Sequence, residues 1–430
     1  MALALIATLL LFLLLFIGAP VAFALGISGA IGLLMFGGPP LLLGVLETTP
    51  LSAPASYELI TIPMFLLMAE FVVISGVADD LFTAGAKWVG RMPGGLGIAT
   101  ALAGAGFGAI SGSSTAAAAT LSATTIPAML KQGYEPQLAC GVVAISGTLA
   151  MLIPPSVALV LYGLIADVSI GKLLVGGVIP GILVMLTIAL TVFALVSINP
   201  ERAPAGRRYS LMEKLRSLKV AGSMIALFVG VTGVIYLGVA TPTEASGIGA
   251  FGAMLVAAWQ RKLSFASAKV ALVRSAATSC MIVLIILGAK IFGYFFTLTQ
   301  VTQQLVGALG SADVSRWVII ALILFGYLLL GCVMDQVAIL ILTVPIVLPV
   351  VKALGFDPVW FGVIIIVVAE IGLVTPPVGL NVFVVARYTG RPLGEIFAGV
   401  WPHVGAHILL VMLLVAFPQI ILFLPDTMRG

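Results

Sequence analysis

Long apolar segments fill most of the chain, and short turns rich in glycine and proline separate them. Many of these segments have close to 20 residues, which is about the length that an α-helix needs to cross a bilayer. Gly38-Pro39-Pro40 is predicted to end the second segment. The pattern predicts membrane-spanning helices at about 2–18, 21–37, 59–78, 172–198, 220–239, 245–259, 270–298 and 393–424.

Four further apolar segments are interrupted by small polar residues or by paired prolines. Non-helical backbone at membrane depth is tolerated only where it is buried in protein or lines a cavity. The cluster Ser111-Gly112-Ser113-Ser114-Thr115 therefore predicts the tip of a re-entrant hairpin; a Gly/Ala-rich packing helix is the alternative. The predicted interrupted elements are hairpins at about 94–123 and 316–342 and broken helices at 136–166 and 358–386.

The two halves of the chain share their interruptions in register. Phe107-Gly108 recurs as Phe325-Gly326, a shift of 218, and Pro154-Pro155 recurs as Pro376-Pro377, a shift of 222. With five spans in each half besides the hairpin, the second half must enter the membrane from the opposite side. We therefore predict an all-α, polytopic membrane protein with two inverted repeats, residues 1–198 and 220–430, joined by a basic linker at 199–219.

Composition and charge support this class and exclude others. The chain is 61% hydrophobic and 8% charged, whereas soluble domains carry about 25% charged residues. If the linker is cytoplasmic, most Lys and Arg residues share its side, as the positive-inside rule requires. Both termini then face outward. The sequence contains no phosphate-binding loop and no nucleophile–base pair, so neither an enzyme nor a nucleic-acid partner is expected.

The hairpin tips and broken helices predict binding sites for cations. Free helix ends and unwound carbonyl groups at mid-membrane coordinate ions in transporters. Oxygen cages of this kind suit Na⁺, whereas protons favour a buried carboxylate, and Glu370 keeps that alternative open. We predict a first Na⁺ site from Ser111, Gly112, Ser113, Gly147, Thr148, Met151 and Pro154, and a second from Gly331, Ala369, Gly372, Thr375 and Pro376.

Polar residues inside apolar segments supply candidate substrate contacts. Lys290 has Val72 as its repeat counterpart, so the fold does not require it; it binds a substrate carboxylate or makes a structural contact. Asp335 either caps a half-helix or contacts the substrate. Asn381 either hydrogen-bonds backbone groups near the break or contacts the substrate. The predicted substrate-binding residues are Lys290, Asp335, Ser114, Thr115, Ser156 and Asn381.

The runs FGAISGSSTA, IPAMLKQGY and GTLAMLIPPS, with MD at 334–335 and TPPVGLN at 375–381, resemble a known family. Over essentially the whole chain, the sequence is similar to the large membrane subunit of tripartite ATP-independent periplasmic (TRAP) transporters. The resemblance implies an elevator-type transporter of the bacterial inner membrane. It also implies Na⁺-coupled uptake of an organic acid such as a C4-dicarboxylate, keto acid or sugar acid.

The resemblance implies partners as well. A periplasmic binding protein would deliver the substrate, and a small four-helix membrane subunit, expected here as a separate chain, would brace the large subunit in the lipid bilayer. The alternative is a stand-alone carboxylate permease, coupled to Na⁺ or H⁺, that needs no binding protein. Polar hairpin tips argue against a membrane scaffold that transports nothing.

Overall fold

The computed structural model describes residues 2–428 except 302, 305, 306 and 308–313. Helices make up 82% of it, and the described residues form no β-strand, which confirms the all-α class. The helices are α1 (Ala2–Phe16), α2 (Val21–Ser52), α3 (Thr61–Ser75), α4 (Val77–Val89), α5 (Gly95–Ser111), α6 (Ser114–Lys131), α7 (Pro136–Gly147), α8 (Val157–Ala166), α9 (Ile170–Gly176), α10 (Val178–Ile198), α11 (Leu211–Tyr236), α12 (Pro242–Trp259), α13 (Phe265–Leu298), α14 (Arg316–Gly331), α15 (Gln336–Ala353), α16 (Pro358–Gly372), α17 (Leu380–Thr389), α18 (Leu393–Ala416) and α19 (Gln419–Asp426).

Helix length and composition divide these elements into spans and shorter pieces. Within the described residues, six helical stretches are long and apolar enough to cross a membrane. A seventh joins them if the two parts of α11, which meet at 48°, cross together. Shorter apolar helices, including α5, α8 and α14, cannot cross alone because a helix rises only about 1.5 Å per residue. The chain is therefore a multi-pass membrane protein. The six helical stretches that are long and apolar enough are Val21–Ser52, Tyr57–Ser75, Ile170–Ile198, Phe265–Leu298, Gln336–Ala353 and Leu393–Ala416.

The second span does not end where the sequence predicted. Gly38 has φ +70°, so the backbone kinks there, but α2 continues to Ser52. Pro39 and Pro40 begin the second segment of the helix, where a missing N–H group leaves no bond unmade. The proline pair therefore bends the helix instead of ending it, and residues 41–52 are helical.

Two helix pairs have sharp turns at small or capping residues. α5 ends at Gly112, which has φ +57°, and the Ser113 hydroxyl accepts a hydrogen bond from Ala116 N (3.4 Å) to begin α6. α14 ends at Gly331, and the Asp335 carboxylate accepts from Val337 N (3.1 Å) to begin α15. Both turns lie inside the ranges predicted for the hairpins, although the second helix of each pair is longer than predicted.

The extra length has a physical reason. α6 continues past the predicted end at 123 to Lys131, and α15 continues past 342 to Ala353. Each helix contains an internal proline beyond the predicted end, Pro127 in α6 and Pro345 in α15, and continues through it. Membrane helices tolerate such prolines where neighbouring groups satisfy the freed backbone.

Two helices break in the middle and then resume. After α7 the chain forms a 3₁₀ turn at Thr148–Met151, and α8 begins where the Ser156 hydroxyl accepts from Leu159 N (3.2 Å). The same hydroxyl donates to the Met151 carbonyl. After α16, the chain unwinds through residues 373–379, and α17 begins at Gly379, which has φ +65°.

The helices pack in two groups. α2 lies against α13, and α3 lies against α12 and α13. The contact is close because a Cβ on Gly29 would lie 2.7 Å from the Phe292 Cα. The hairpins and broken helices form the second group, in which α6 and α18 contact α7 and α14 contacts α16. This second group contains most of the buried polar residues.

The linker is shorter than predicted because α11 begins at Leu211, inside the predicted range 199–219. Ser210 caps this helix, and Glu213 reaches back to the Ser210 backbone N–H (2.8 Å). The linker is held against the first half by an ion pair between Arg202 Nε and Glu135 Oε2 (2.5 Å). The Gln132 amide also donates to the Pro204 carbonyl (3.0 Å).

Candidate functional site

The first hairpin tip packs directly on the first broken helix. A Cβ on Gly112 would lie 2.7 Å from Val157 Cγ2, and one on Gly147 would lie 3.1 Å from the Ser114 carbonyl oxygen. Small residues at this contact let the backbones approach closely. The residues predicted to form the first Na⁺ site thus belong to two segments that touch.

One hydroxyl at this tip has no structural use. Ser111 Oγ is buried and has no hydrogen-bond partner in the described part of the chain. Of the other two predicted hydroxyls, Ser113 Oγ accepts from Ala116 N (3.4 Å) and Thr148 Oγ1 donates to the Ile145 carbonyl (2.7 Å). A buried hydroxyl without a partner costs about 1–3 kcal/mol, so Ser111 is the side chain here that would gain most from a bound cation.

The second hairpin tip contacts the second broken helix through glycines. A Cβ on Gly331 would lie 2.5 Å from the Ala369 carbonyl oxygen and 3.0 Å from the Gly372 Cα. Beyond the break, Gly379 N donates to the Cys332 carbonyl (3.2 Å), and Thr375 Oγ1 donates to the Ile371 carbonyl (2.6 Å). The residues predicted to form the second Na⁺ site therefore also place backbone oxygens where the hairpin tip contacts the broken helix.

The ligand chemistry at both predicted cation sites suits Na⁺. Among residues 2–428, with the gaps noted above, no three His, Cys, Asp or Glu side chains form a metal-ligand cluster. The oxygens at the two contacts come from carbonyls and hydroxyls, which are hard, neutral ligands appropriate to a monovalent cation. The residues present fit the ion that the sequence predicted.

A buried polar network joins the first tip to the second broken helix. Asn381 Nδ2 donates to Ser114 Oγ (2.8 Å) and to the Ala144 carbonyl (3.3 Å), and Ser114 Oγ donates to Glu370 Oε2 (3.2 Å). Ser114, Glu370 and Asn381 are each at most 4% exposed. The network therefore connects the two predicted repeats through side chains far apart in the sequence.

Burial separates Ser114, Ser156 and Asn381 from any substrate in the conformation described. Asn381 bonds backbone and hydroxyl groups, and Ser156 caps α8. Asp335, at the second tip, is exposed and caps α15. The predicted substrate contacts of Ser114, Ser156, Asn381 and Asp335 stay predictions, and each side chain has a structural role as well.

The other two predicted substrate residues line separate cavities. Lys290 is exposed in a cavity of about 240 Å³ formed by α13, Leu164 and Ile165 of α8, and Pro345 of α15. Thr115 lines a cavity of about 470 Å³ between α6 and α17. The structure thus does not bring all six predicted substrate residues to one site.

Comparison with known proteins places the chain in a family. Residues 8–420 match the DctM component of the tripartite ATP-independent periplasmic transporter. The chain belongs to this family. It is 36% identical over 404 residues to the C4-dicarboxylate TRAP transporter large permease protein DctM of Pseudomonas aeruginosa, with 94% of each chain covered.

A second relative and a solved structure are also similar to the chain. The chain is 31% identical to the isethionate TRAP transporter permease protein DctMQ of Oleidesulfovibrio alaskensis, covering 95% of this chain and 64% of that protein. Its fold matches that of the YdaH transporter of Alcanivorax borkumensis with a TM-score of 0.68 at 14% identity, covering 97% and 99% of the two chains. The TRAP family assignment makes this chain a transport subunit and not an enzyme.

Sequence reasoning about this TRAP subunit missed one cationic residue. Arg387 lines the same cavity as Thr115, yet the sequence pattern suggested only that it belongs to the basic side of the membrane. Its position 11 residues after Pro376 was the available signal, because that places it one helix beyond the break.

Proposed function

We propose that this TRAP large subunit carries a small organic acid across the inner membrane, driven by a Na⁺ gradient. The observation that carries the proposal is the pair of tip-to-break contacts, each lined by glycine backbone and neutral oxygens. Helix ends and unwound carbonyls of this kind bind coupling ions in secondary transporters. No ATP-binding motif is present, so an ion gradient is the natural energy source.

The substrate is proposed to be an organic anion. The relatives compared above are named for C4-dicarboxylate and isethionate, which share an anionic carboxylate or sulfonate group. Lys290 offers a positive charge in a cavity between the outer helix α13 and the second hairpin. Since Lys290 forms no ion pair with any residue that the structure describes, its charge is available to such a group.

The mechanism is proposed to be an elevator movement. The helix group that contains the hairpins and broken helices would slide against the group formed by α2, α3, α12 and α13. Lys290 belongs to the group formed by α2, α3, α12 and α13. Leu164, Ile165 and Pro345, which line the same cavity, belong to the group of hairpins and broken helices. A cavity with walls from both groups changes shape when they move, as alternating access requires.

Partners and orientation follow from the same assignment. We propose that a periplasmic binding protein delivers the acid and that a small four-helix subunit packs on the exposed apolar faces of α1 and α2, which include Leu9, Phe12 and Phe23. The relative named DctMQ is longer than this chain, so the small subunit is either separate or fused. Both termini are proposed to face the periplasm.

Reconstitution in proteoliposomes tests the function directly. Uptake of labelled succinate should require the small subunit, the binding protein and an inward Na⁺ gradient. Uptake without the binding protein, or driven equally by a proton gradient, would favour the stand-alone permease and direct attention to Glu370.

Lys290 provides the corresponding mutational test. Lys290→Ala should abolish uptake while the protein remains folded, because the anion loses its cationic partner. Lys269→Ala is the matched control, since Lys269 is exposed on the same helix outside the cavity. Normal uptake by Lys290→Ala, measured beside an unchanged size-exclusion profile, would exclude Lys290 as a substrate residue.

A further inference from the structure

The cavity between α6 and α17 has the features of an anion-binding site. Its volume of about 470 Å³ lies within the range of about 300–1,000 Å³ typical of small-molecule sites. Polar side chains from both helices line it. Thr115 comes from the first turn of α6, and Arg387 and Tyr388 come from the last turn of α17.

Arg387 is available to a ligand. It is exposed, and among the described residues it forms no ion pair and no hydrogen bond. The next arginine along the chain differs, because Arg391 Nη1 lies 2.9 Å from Glu395 Oε1. A guanidinium group matches a carboxylate or sulfonate with two parallel hydrogen bonds, which makes an unpaired arginine in a cavity a natural anchor for either.

Thr115 and the α6 terminus add to this potential. The Thr115 hydroxyl lies 3.3 Å from Ser113 Oγ and lines the cavity. The beginning of a helix carries partial positive charge, so the field of α6 has the same sign as the Arg387 charge. The Arg387 guanidinium and the Thr115 hydroxyl line the same cavity, so together they suit an acid with two oxygen-bearing groups.

The wall of the cavity that holds Arg387 lies toward the linker. The helix after Arg387, α18, packs on the first turn of α7, since a Cβ on Gly399 would touch the Gln137 carbonyl oxygen. Glu135, which precedes α7, pairs with Arg202 of the linker.

In the register that matches Pro154-Pro155 with Pro376-Pro377, Arg387 corresponds to Ile165, which lines the Lys290 cavity. One wall of each cavity is therefore equivalent in the predicted repeat, and each cavity contains one cation that forms no ion pair with a described residue.

We propose that Arg387, together with Thr115, binds the carboxylate or sulfonate group of the transported acid on the linker side of the protein. The inference rests on the proposed function, since it assigns a second holding site to the same substrate. Lys290 would bind the anion in one cavity and Arg387 in the other, so the acid has a cationic partner on both sides of the membrane centre.

Direct binding tests the assignment. The purified complex of large and small subunits, in lipid nanodiscs with saturating NaCl, would be titrated with labelled succinate and, in parallel, isethionate. Arg387→Gln should weaken binding of the anion that the wild type binds by about 10- to 100-fold, the loss expected for a charge-assisted pair. Arg387→Lys should retain part of the affinity because it keeps the charge without the planar fork.

Lys131→Gln is the matched control. Lys131 is exposed at the far end of α6, outside the cavity, so its replacement removes one charge from the same side and should leave affinity unchanged. A size-exclusion profile for each variant verifies folding. Since Arg387 is exposed and unpaired, its removal breaks no described contact.

The outcomes separate the two proposals. Na⁺-driven uptake by the wild type, together with equal affinities for wild type and Arg387→Gln, overturns the Arg387 site and leaves the transport function standing. Arg387-dependent binding without Na⁺-driven uptake supports the site and contradicts the coupling. If wild type binds neither succinate nor isethionate, the site as proposed is wrong, whatever the uptake experiment gives.

Discussion

The same dipeptide occupies opposite environments in the two hairpins. Phe107 in α5 is 2% exposed, whereas its sequence counterpart Phe325 in α14 is 56% exposed. A Cβ on Gly108 would lie 2.8 Å from the Cα and N atoms of Ala150, but one on Gly326 would meet no atom within 4 Å. The first hairpin is thus enclosed at this level, and the second presents the equivalent face outward.

The breaks differ in the same sense. Pro154 and Pro155 are buried, whereas Pro376 and Pro377 are exposed. α10 covers the first break closely, since a Cβ on Gly177 would lie 2.7 Å from the Leu152 carbonyl oxygen and one on Gly181 would lie 2.6 Å from Ile153 Cγ1. Similar sequences therefore give one covered and one open break. This is the asymmetry that access from a single side requires of a transporter.

The largest effect should come from filling the enclosed glycine. Gly108→Ala places a methyl group against Ala150 backbone, which cannot rotate away, so the hairpin must move off the broken helix. Overpacking of this kind costs about 1–3 kcal/mol. We expect a lower thermal unfolding midpoint in detergent and strongly reduced uptake.

Gly326→Ala is the control in the corresponding position. Its methyl group enters open space, and alanine favours the helix by about 1 kcal/mol over glycine. The unfolding midpoint should stay the same or rise. Equal losses in both variants would contradict the difference in enclosure between the two hairpins.

A smaller effect should follow from breaking the network between the halves. Asn381→Leu leaves Ser114 Oγ and the Ala144 carbonyl without their donor, which costs about 1–3 kcal/mol. Because Ser114 lies in the same network, the losses for Asn381→Leu and Ser114→Ala should not add in the double variant. Thermal midpoints and uptake rates measure both.

Thr389→Val serves as the reference for that series. Thr389 lies on the same helix, where its hydroxyl donates to the Val385 carbonyl (2.8 Å) and accepts from Arg391 N (3.4 Å), outside the Ser114 network. Its loss should be smaller and should add to that of Ser114→Ala. Additive losses for Asn381 and Ser114 would show that the two side chains act separately, and the halves would then not be coupled through them.

Local signals in the sequence located the turns and breaks but not the contacts between them. Gly112, Ser113 and the proline pairs at 154–155 and 376–377 interrupt helices through local backbone chemistry, so the sequence located these turns and breaks. The pair Pro39-Pro40 shows the limit of this signal, because α2 continues through it. The bond between Ser114 and Glu370 joins residues 256 apart, and no pattern along the chain indicates it. Thr115 and Lys290 likewise seemed to serve one site because burial and direction depend on tertiary packing.

The smallest predicted effect is on ion affinity alone. Ser111→Ala removes a buried hydroxyl that bonds nothing else among the described residues, so stability should not fall. If that oxygen binds Na⁺, the Na⁺ concentration for half-maximal uptake should rise about tenfold, equivalent to about 1.4 kcal/mol. Ser28→Ala is the control, because Ser28 Oγ is also buried and has no hydrogen-bond partner among the described residues but lies in α2, away from the tips. An unchanged Na⁺ dependence in Ser111→Ala would remove its hydroxyl from the ion site. A shift in Ser111→Ala and none in Ser28→Ala would assign the ion to the enclosed half of the molecule, where the tip is covered and the hydroxyl is held in place.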